Sequence, residues 1–424
     1  MSVALSGLQV IGAEIISANG NRVDFSSGIR NINYFEDILS PCCTMSITVD
    51  LGSRIVNSLP IRGGEKVVIK LRTASGDFDR DGDKAFYVKK IENYAADGMK
   101  ETFTLQLISR EGLTNETTRC ETKYQKLTID QHVTSILKDV LKTNNYESKN
   151  IEKTSNTYSF IGNQKKPFYI LTWLLPKGIP VAGKSGTNGA KATGVAGYFF
   201  YENSEGFNFK SIEKLVGGVD STNQPVAEYT YSNSIEHNTL AVEYKILDYK
   251  LAKNIDLISS LRTGMYSNVT FLFDLYENRT DYYQYDLKDE ILDKLGEQDD
   301  IDVPGGFESA PSRILVRTAD RGILDTGDIA ADSGRDIADM AKSFARYNLL
   351  FTQSLNMVVP CNIGLKVGDV IAATFPKVSV SDKSEKDSQQ SGKYLIKGLR
   401  HHFEANANVT YLSLIRDSYG LTDN

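Results

Sequence analysis

A faint duplication between the two ends of the chain constrains its fold more than any other feature. Near the N-terminus the order runs Gly64-Glu65-Lys66-Val67-Val68-Ile69, then Phe86-Tyr87-Val88-Lys89-Lys90-Ile91, then Leu105-Gln106-Leu107-Ile108-Ser109-Arg110. Near the C-terminus it runs Gly368-Asp369-Val370-Ile371, then Tyr394-Leu395-Ile396-Lys397-Gly398-Leu399, then Leu412-Ser413-Leu414-Ile415-Arg416-Asp417. Each set reads as a Gly-acid-apolar strand, a polar loop, an aromatic-aliphatic-Lys strand, a hairpin and an L-x-L-I strand. A further strand precedes each set, ITVDL in one and LNMVV in the other. Such a chain carries two copies of one small β-barrel-like domain, with α/β material inserted between them. Catalysis does not require that arrangement. An assembly protein can use it to present a ring with twice its subunit count of near-identical faces.

The 424 residues suffice for about three domains of ~150 residues, so several cores can form without metal or disulfide staples. With 41% hydrophobic and 24% charged residues, the chain is neither disordered, collagen-like nor a membrane bundle. A net charge of −6 argues against a nucleic-acid binder, which needs surplus Lys and Arg to displace counterions. Short runs rich in Tyr, Val, Ile and Thr between Gly-bearing breaks indicate a β-rich α+β fold. The opening MSVALSGLQVIGAEIIS lacks a basic segment and a long apolar one, and no run approaches the ~20 apolar residues of a membrane span. We therefore expect a soluble protein made in the cytoplasm.

Strand-like runs fill residues 1–112, the first barrel-like domain: LQVIGAEII, RNINYFEDIL, CCTMSITVDL, GEKVVIKLRT, KAFYVKKIENY and ETFTLQLISR. An inserted α/β domain follows at 113–225. In it Ile129, Val133, Ile136, Leu137, Val140 and Leu141 have amphipathic-helix spacing, and Thr128 with Gln131 forms a capping box. A second helix is predicted over Pro167–Leu175, and Tyr198–Ile212 reads as an aromatic hairpin. Residues 226–330 hold the strands AEYTYS, LAVEYKILDY and YSNVTFLFDLY, then an acidic linker or surface loop at 296–312. Residues 331–424 complete the second barrel-like domain. In their helix Ile337, Met340, Ala341, Phe344 and Tyr347 share a face, and Ser333 with Asp336 resembles a capping box at its start.

Motifs with chemical potential are few. Gly178–Ser185 matches the P-loop pattern GxxxxGK[ST], but the preceding PFYILTWLLPK is helix-like, whereas a P-loop needs a strand there. A Gly-rich surface loop is the plainer reading. Asp77, Asp79, Asp81, Gly82 and Asp83 imitate half an EF-hand loop, yet the twelfth position is Val88 and the flanks are strands. His132 falls on the polar side of its helix, and of His401 and His402 only one can face the core. No His is spaced for zinc. Cys42 and Cys43 should point to opposite faces as reduced thiols, and Cys361 has no signal of a nucleophile. Acidic Glu297–Asp302 reads as a solvated face. We expect no catalytic, cofactor-binding or metal site.

Three regions together resemble the central baseplate hub proteins of contractile-tailed bacteriophages, related to late-control D proteins and to the hub half of type VI secretion spikes. They are FEDILSPCCTMSITVDL through LPIRGGEKVVIKL; PFYILTWLLPKG with GYFFYENSEGFNFKSI; and LNMVVPCNIGLKVGDVIAATFP with SGKYLIKGLRHHFEANANVTYLSLIRDSYG. Cys361 stands where this family has Gly. The resemblance implies two tail-tube-like β-barrel domains per subunit and a homotrimeric, pseudo-sixfold ring. Such a ring adapts the sixfold tail tube to the threefold central spike and forms a conduit for DNA ejection. Implied partners are the chain itself, the spike, the tail tube protein, the tape-measure protein and the baseplate wedge, with no membrane and no sequence-specific nucleic acid. The implied place is the virion tail baseplate, assembled in the host cytoplasm. That no spike domain follows residue 424 points to the phage type over the fused secretion type; a tailocin or secretion-device hub is the nearest alternative.

For the interaction surface we expect the repeated strands to matter, through Glu65, Val67, Ile69, Tyr87, Lys89, Asp369, Ile371, Tyr394, Ile396 and Lys397, with the loops 77–84 and 376–392 facing tube or spike. The competing class is an enzyme, a P-loop NTPase or a cell-wall hydrolase. Lys184→Ala separates the first: nucleotide binding in a titration is lost in an NTPase, and assembly is unchanged in a hub.

Overall fold

The computed structural model describes residues 8–52, 61–98, 100–181, 196–217, 224–231, 243–253, 255–275, 278–289, 294–295, 310–318, 337–377, 386–405 and 407–419. Outside these lie Lys184 and Ser185, the Ser333–Asp336 cap and most of the acidic stretch 296–312. The N-terminal strands are β1 (Gln9–Ile16), β2 (Arg22–Asp24), β3 (Ile29–Asp37), β4 (Thr44–Leu51), β5 (Lys66–Thr73), β6 (Gly76–Arg80), β7 (Phe86–Asp97) and β8 (Lys100–Ser109). Helix α1 (Arg110–Thr117) leads to β9 (Lys123–Thr128), α2 (Ile129–Ser135), β10 (Tyr146–Ile151), β11 (Thr157–Ile161), α3 (Pro167–Leu174), β12 (Tyr198–Asn203), β13 (Gly206–Ser211) and α4 (Ile212–Val216). Next come β14 (Glu228–Thr230), β15 (Asp248–Lys253), α5 (Leu257–Thr263), β16 (Ser267–Asp274), β17 (Arg279–Asp286) and β18 (Arg313–Thr318). The chain closes with α6 (Ile337–Leu349), β19 (Gln353–Pro360), β20 (Val370–Thr374), β21 (Gly392–Glu404) and β22 (Asn408–Arg416). The fold is β-rich α+β.

Alternation makes the strands. In β4, Met45, Ile47, Val49 and Leu51 are buried while Thr44, Ser46, Thr48 and Asp50 stay half-exposed, the period of a one-sided sheet. The strands of both chain ends join in one largely antiparallel fourteen-stranded sheet, β15-β19-β22-β21-β3-β4-β8-β7-β5-β1-β2, with β6, β14 and β20 attached beside it. One hydrophobic core runs under both halves, from Ala13 and Ile32 to Leu399 and Ile415.

The duplication holds in strand order and in the register of its central strand pairs. The order β3-β4-β8-β7-β5 at one end matches β15-β19-β22-β21-β20 at the other. Val67 pairs with Phe86 as Ile371 pairs with Tyr394. Both ladders then slip between the same two positions, Val88/Lys90 and Ile396/Gly398, leaving Lys89 and Lys397 as the bulged residues. The Gly-acid pairs also do the same work. Gly64 and Gly368 take φ of 88° and 91°, which a side chain would strain. Their N–H groups donate to Val88 O at 2.8 Å and Ile396 O at 3.0 Å. The following acid accepts from the amide three residues earlier, Glu65 from Arg62 at 2.7 Å and Asp369 from Lys366 at 3.1 Å.

The inserted segment has its own core, built around Tyr124, Phe160, Leu171, Tyr198, Phe200, Phe207 and Phe209. The expected capping box starts α2, with Thr128 N–H donating to Gln131 at 3.1 Å. The hairpin β12–β13 is buried along nearly its whole length. Tyr198 and Phe200 face the inserted core, while Phe199 and Tyr201 face the sheet core. This explains an aromatic run without polar alternation. Cys42 and Cys43 likewise divide between the two cores.

Three sequence expectations need correction. His132 is fully buried, its ring bonded to Tyr158 O at 2.6 Å; the face of α2 that looked polar is covered by β9 and β11. Helix α6 buries Ala341, Ser343, Ala345, Arg346 and Leu349, while Ile337, Met340, Phe344 and Tyr347 are half-exposed. Its small residues face β17, and Arg346 turns inward to meet two carboxylates. Of the strand expected at LAVEYKILDY, residues 240–242 lie outside the described residues; among the described ones the strand starts at Asp248, preceded by a bridge of Lys245 to Thr230 and exposed Tyr244 and Leu247.

Two buried polar clusters tie the parts together. Arg346, 1% exposed, binds Glu213 of α4 at 2.9 Å and Asp417 after β22 at 2.7 Å. Glu36 and Glu202 lie where the inserted segment meets both halves of the sheet. Glu36 accepts from Tyr34 Oη at 2.7 Å and Val367 N at 2.9 Å; Glu202 accepts from Cys43 N at 2.8 Å and Asn145 Nδ2 at 3.0 Å. Burial pushes both carboxyls up to about 7, against the pull of the nearby Arg80 guanidinium. His401, also buried there, is pushed down to about 3 and stays neutral.

The clusters, with one exposed ion pair for comparison, set measurable expectations. Arg346→Met leaves two buried carboxylates without their cation and should lower the denaturant-derived stability by about 3–5 kcal/mol. Arg30→Ala, which breaks an exposed pair with Asp50, should cost under about 1 kcal/mol. Because Glu36 and Glu202 bind protons more tightly folded than unfolded, stability falls as pH rises from about 4.5 through 7. Between pH 5 and pH 8.5 each carboxyl contributes about 2–3 kcal/mol to that fall. Glu36→Gln with Glu202→Gln should flatten the pH profile of the unfolding midpoint, and an unchanged slope would remove these residues as its source.

Candidate assembly interface

The expected interaction residues divide by side-chain direction. Val67, Ile69, Ile371, Tyr394 and Ile396 are all fully buried in the sheet core, and their strands β5, β20 and β21 are already paired on both sides within the chain, so these residues lie away from the open edges. Glu65 and Asp369 cap the turns before β5 and β20. Tyr87 is half-buried, and Lys89 lies exposed at its bulge. Lys397, at the equivalent bulge, reaches across to Asp37 Oδ2 at 2.8 Å. The Asp77–Asp83 stretch is no single turn: Asp77 and Asp79 lie in β6, facing their β5 partners Arg72 and Lys70, with Arg72 bonded to Asp77 at 2.8 Å and Lys70 3.9 Å from Asp79 and 3.4 Å from Asp81. Gly178 follows a helix and a short 3-10 turn at Leu175–Lys177, so the element before the P-loop-like stretch is no strand. Burial pushes the Cys361 thiol up to about 11, which leaves it protonated.

Lys397 points to the feature that sequence reasoning missed. The two halves of the chain are zipped edge to edge by β3 and β21. Gly398 pairs with Asp37, Arg400 with Phe35, His402 with Asn33 and Glu404 with Asn31. His402 Nδ1 lies 2.8 Å from Asn33 Oδ1. Beneath the ladder, Ile32, Tyr34, His401 and Phe403 are buried, and Tyr34 stacks on His401 with ring centroids 6.0 Å apart. In sequence both strands show only ordinary alternation, which does not say which edges meet.

The equivalence of the halves identifies the counterparts of this junction. The counterpart of β3 is β15, which among the described residues pairs only with β19. The counterpart of β21 beyond its bulge is β7 beyond Val88, where among the described residues the sole ladder partner is β8. Both segments are open to solvent, with Ala95, Ala96, Asp97, Asp248 and Lys250 exposed. A chain with one junction made therefore carries one edge of each kind unmade.

The sheet face away from the core is uncovered. Across β3, β4, β8, β22 and β19 it presents Asn31, Asn33, Ser46, Thr48, Thr104, Gln106, Ser413 and Asn356, nearly all half-exposed. These side chains are polar and uncharged. A groove of 430 Å³ crosses this face from Phe35 and Arg400 to Lys250.

No protein-family model matches the chain, and no match was found among curated proteins. Solved structures do match. A tail protein from Neisseria meningitidis MC58 superposes with a TM-score of 0.53 at 10% identity, covering 97% of each chain. The 43 kDa tail protein of prophage MuSo2 from Shewanella oneidensis does so with a TM-score of 0.51 at 8% identity, covering 96% of this chain and 98% of that one. At such identities the likeness is one of fold, and this chain has the fold of phage tail proteins.

Proposed function

We propose that this chain is the central structural hub of a contractile-tail baseplate, a homotrimer whose six barrel-like units form a ring between tail tube and spike. The observation that carries the reading is the pair of unmade edges, one on each of two equivalent halves. Joining unlike edges of successive copies is head-to-tail association, which gives a closed ring when the rotation divides a full turn. If every half takes one sixth of the turn, three chains close the ring with six near-equivalent junctions, covering the open edges of β7 and β15. Threefold chemistry with sixfold shape suits an adaptor between a sixfold tube and a threefold spike.

In this reading the uncovered sheet face lines the channel. Its central strip of neutral amides and hydroxyls does not hold a phosphate backbone by charge, while Phe35, Arg400, Tyr411 and Lys250 line the groove beside that strip. Of the stretches expected to face tube or spike, 77–80 belong to strand β6 and 378–385 lie outside the described residues; the turn at 81–84 and the segments flanking β20 and β21, which lead into the equivalent strands β7 and β21, would meet tube and spike. Glu65 and Asp369 would serve by fixing the turns at the start of β5 and β20. The role is structural, without catalysis.

Light scattering tests the stoichiometry. The purified chain, with and without ATP and magnesium, should give the mass of three chains in both conditions. A mass of two or four chains, or one that follows nucleotide, contradicts the proposal.

A further inference from the structure

Building on the assembly reading above, we propose that β7 beyond Val88 takes β15 of a second copy in the register by which β21 takes β3 within the chain, with Glu92 opposite the second copy's Lys253. The register follows from the ladders already formed. Ile91 pairs with Leu105 as Leu399 pairs with Leu412, and Glu92 with Thr104 as Arg400 with Tyr411. Glu92 therefore stands where Arg400 stands. On the other side, Lys253 pairs with Ser354 as Phe35 pairs with Thr44, and Lys250 with Asn356 as Asn33 with Ser46. Lys253 therefore stands where Phe35 stands, and Phe35 is the partner of Arg400.

A second copy is the occupant because each edge is the counterpart of one already filled by this same chain. At the matched position an acid on one edge faces a base on the other, where the internal junction has Arg400 and Phe35, and the same register sets Asp97 opposite the second copy's Asp248, exposed at the end of the ladder. In the single chain Glu92 holds Lys90 at 2.6 Å and Gln106 at 3.0 Å, and Lys253 donates to Phe351 O at 2.9 Å. Both are surface contacts that a new strand partner can rearrange. A second bulge between Glu92 and Ala95 brings Ala95 opposite Thr102, the counterpart of Val409 opposite His402. Ala95 therefore matches His402 and should face the partner's Lys250, the counterpart of Asn33. At the internal junction those two side chains are in contact, so cysteines placed there should be able to bond.

The test uses the full chain. Glu92→Lys alone, or Lys253→Glu alone, should weaken self-association about tenfold in concentration-dependent light scattering. The double exchange should recover to within about threefold of wild type. Circular dichroism should show all three folded, as the substitutions are at the surface. Ala95→Cys with Lys250→Cys should give chain-to-chain disulfides on mild oxidation, ending at closed three-chain species. If wild type forms the trimer but no disulfide appears and the charge exchanges have no effect, this register is overturned while the trimer stands. If wild type remains a single chain at every concentration and no disulfide forms, both the register and the self-assembly reading fall.

Discussion

The ladder between Ile29–Asp37 and Gly392–Glu404 turns two half-chains into one sheet. Remove it and each half keeps its own strand order, but the shared core beneath Tyr34, His401 and Phe403 is opened to water. The contact is mainly backbone to backbone, so it fixes direction and register more than side-chain identity. The same property lets the two halves keep equivalent strand orders with dissimilar side chains, as at Arg400 and its counterpart Glu92.

The inserted segment is locked to this sheet by burial on both faces of one hairpin. Phe199 and Tyr201 belong to one core, Phe200 and Phe209 to the other, so the segment cannot tilt without opening both. Glu202 at the end of the first hairpin strand reaches the amide of Cys43, and Tyr347 of α6 accepts the amide of Tyr198 at 2.9 Å. Rigid coupling of this kind suits a part that carries load between larger bodies, and it concentrates buried charge at the joints.

Much of the fold was legible in the sequence because the strands bury one face each, and alternation reports that directly. The repeat was visible because its Gly-acid pair does a backbone job that few residue types can do. The capping box before Ile129 and the aromatic hairpin were readable for the same local reasons. Helix α6 was misread because Arg346 is buried by two carboxylates distant in the chain, and hydropathy counts any Arg as exposed. His132 was misread because its covering strands come from elsewhere. The candidate interface was hardest: Val67, Ile371 and Tyr394 look like good contact residues but spend their side chains inside. The edges that matter, around Glu92 and Lys253, carry no signal until the internal junction supplies the pattern.

Amide hydrogen exchange resolved along the chain tests the central claim most directly. At concentrations where chains associate, amides of 90–97 and 248–253 should slow toward the protection of 31–37 and 398–404, and on dilution they alone should become fast. Equal, fast exchange of both edge segments at high and low concentration, with the association unchanged, would show that the chains meet through some other surface.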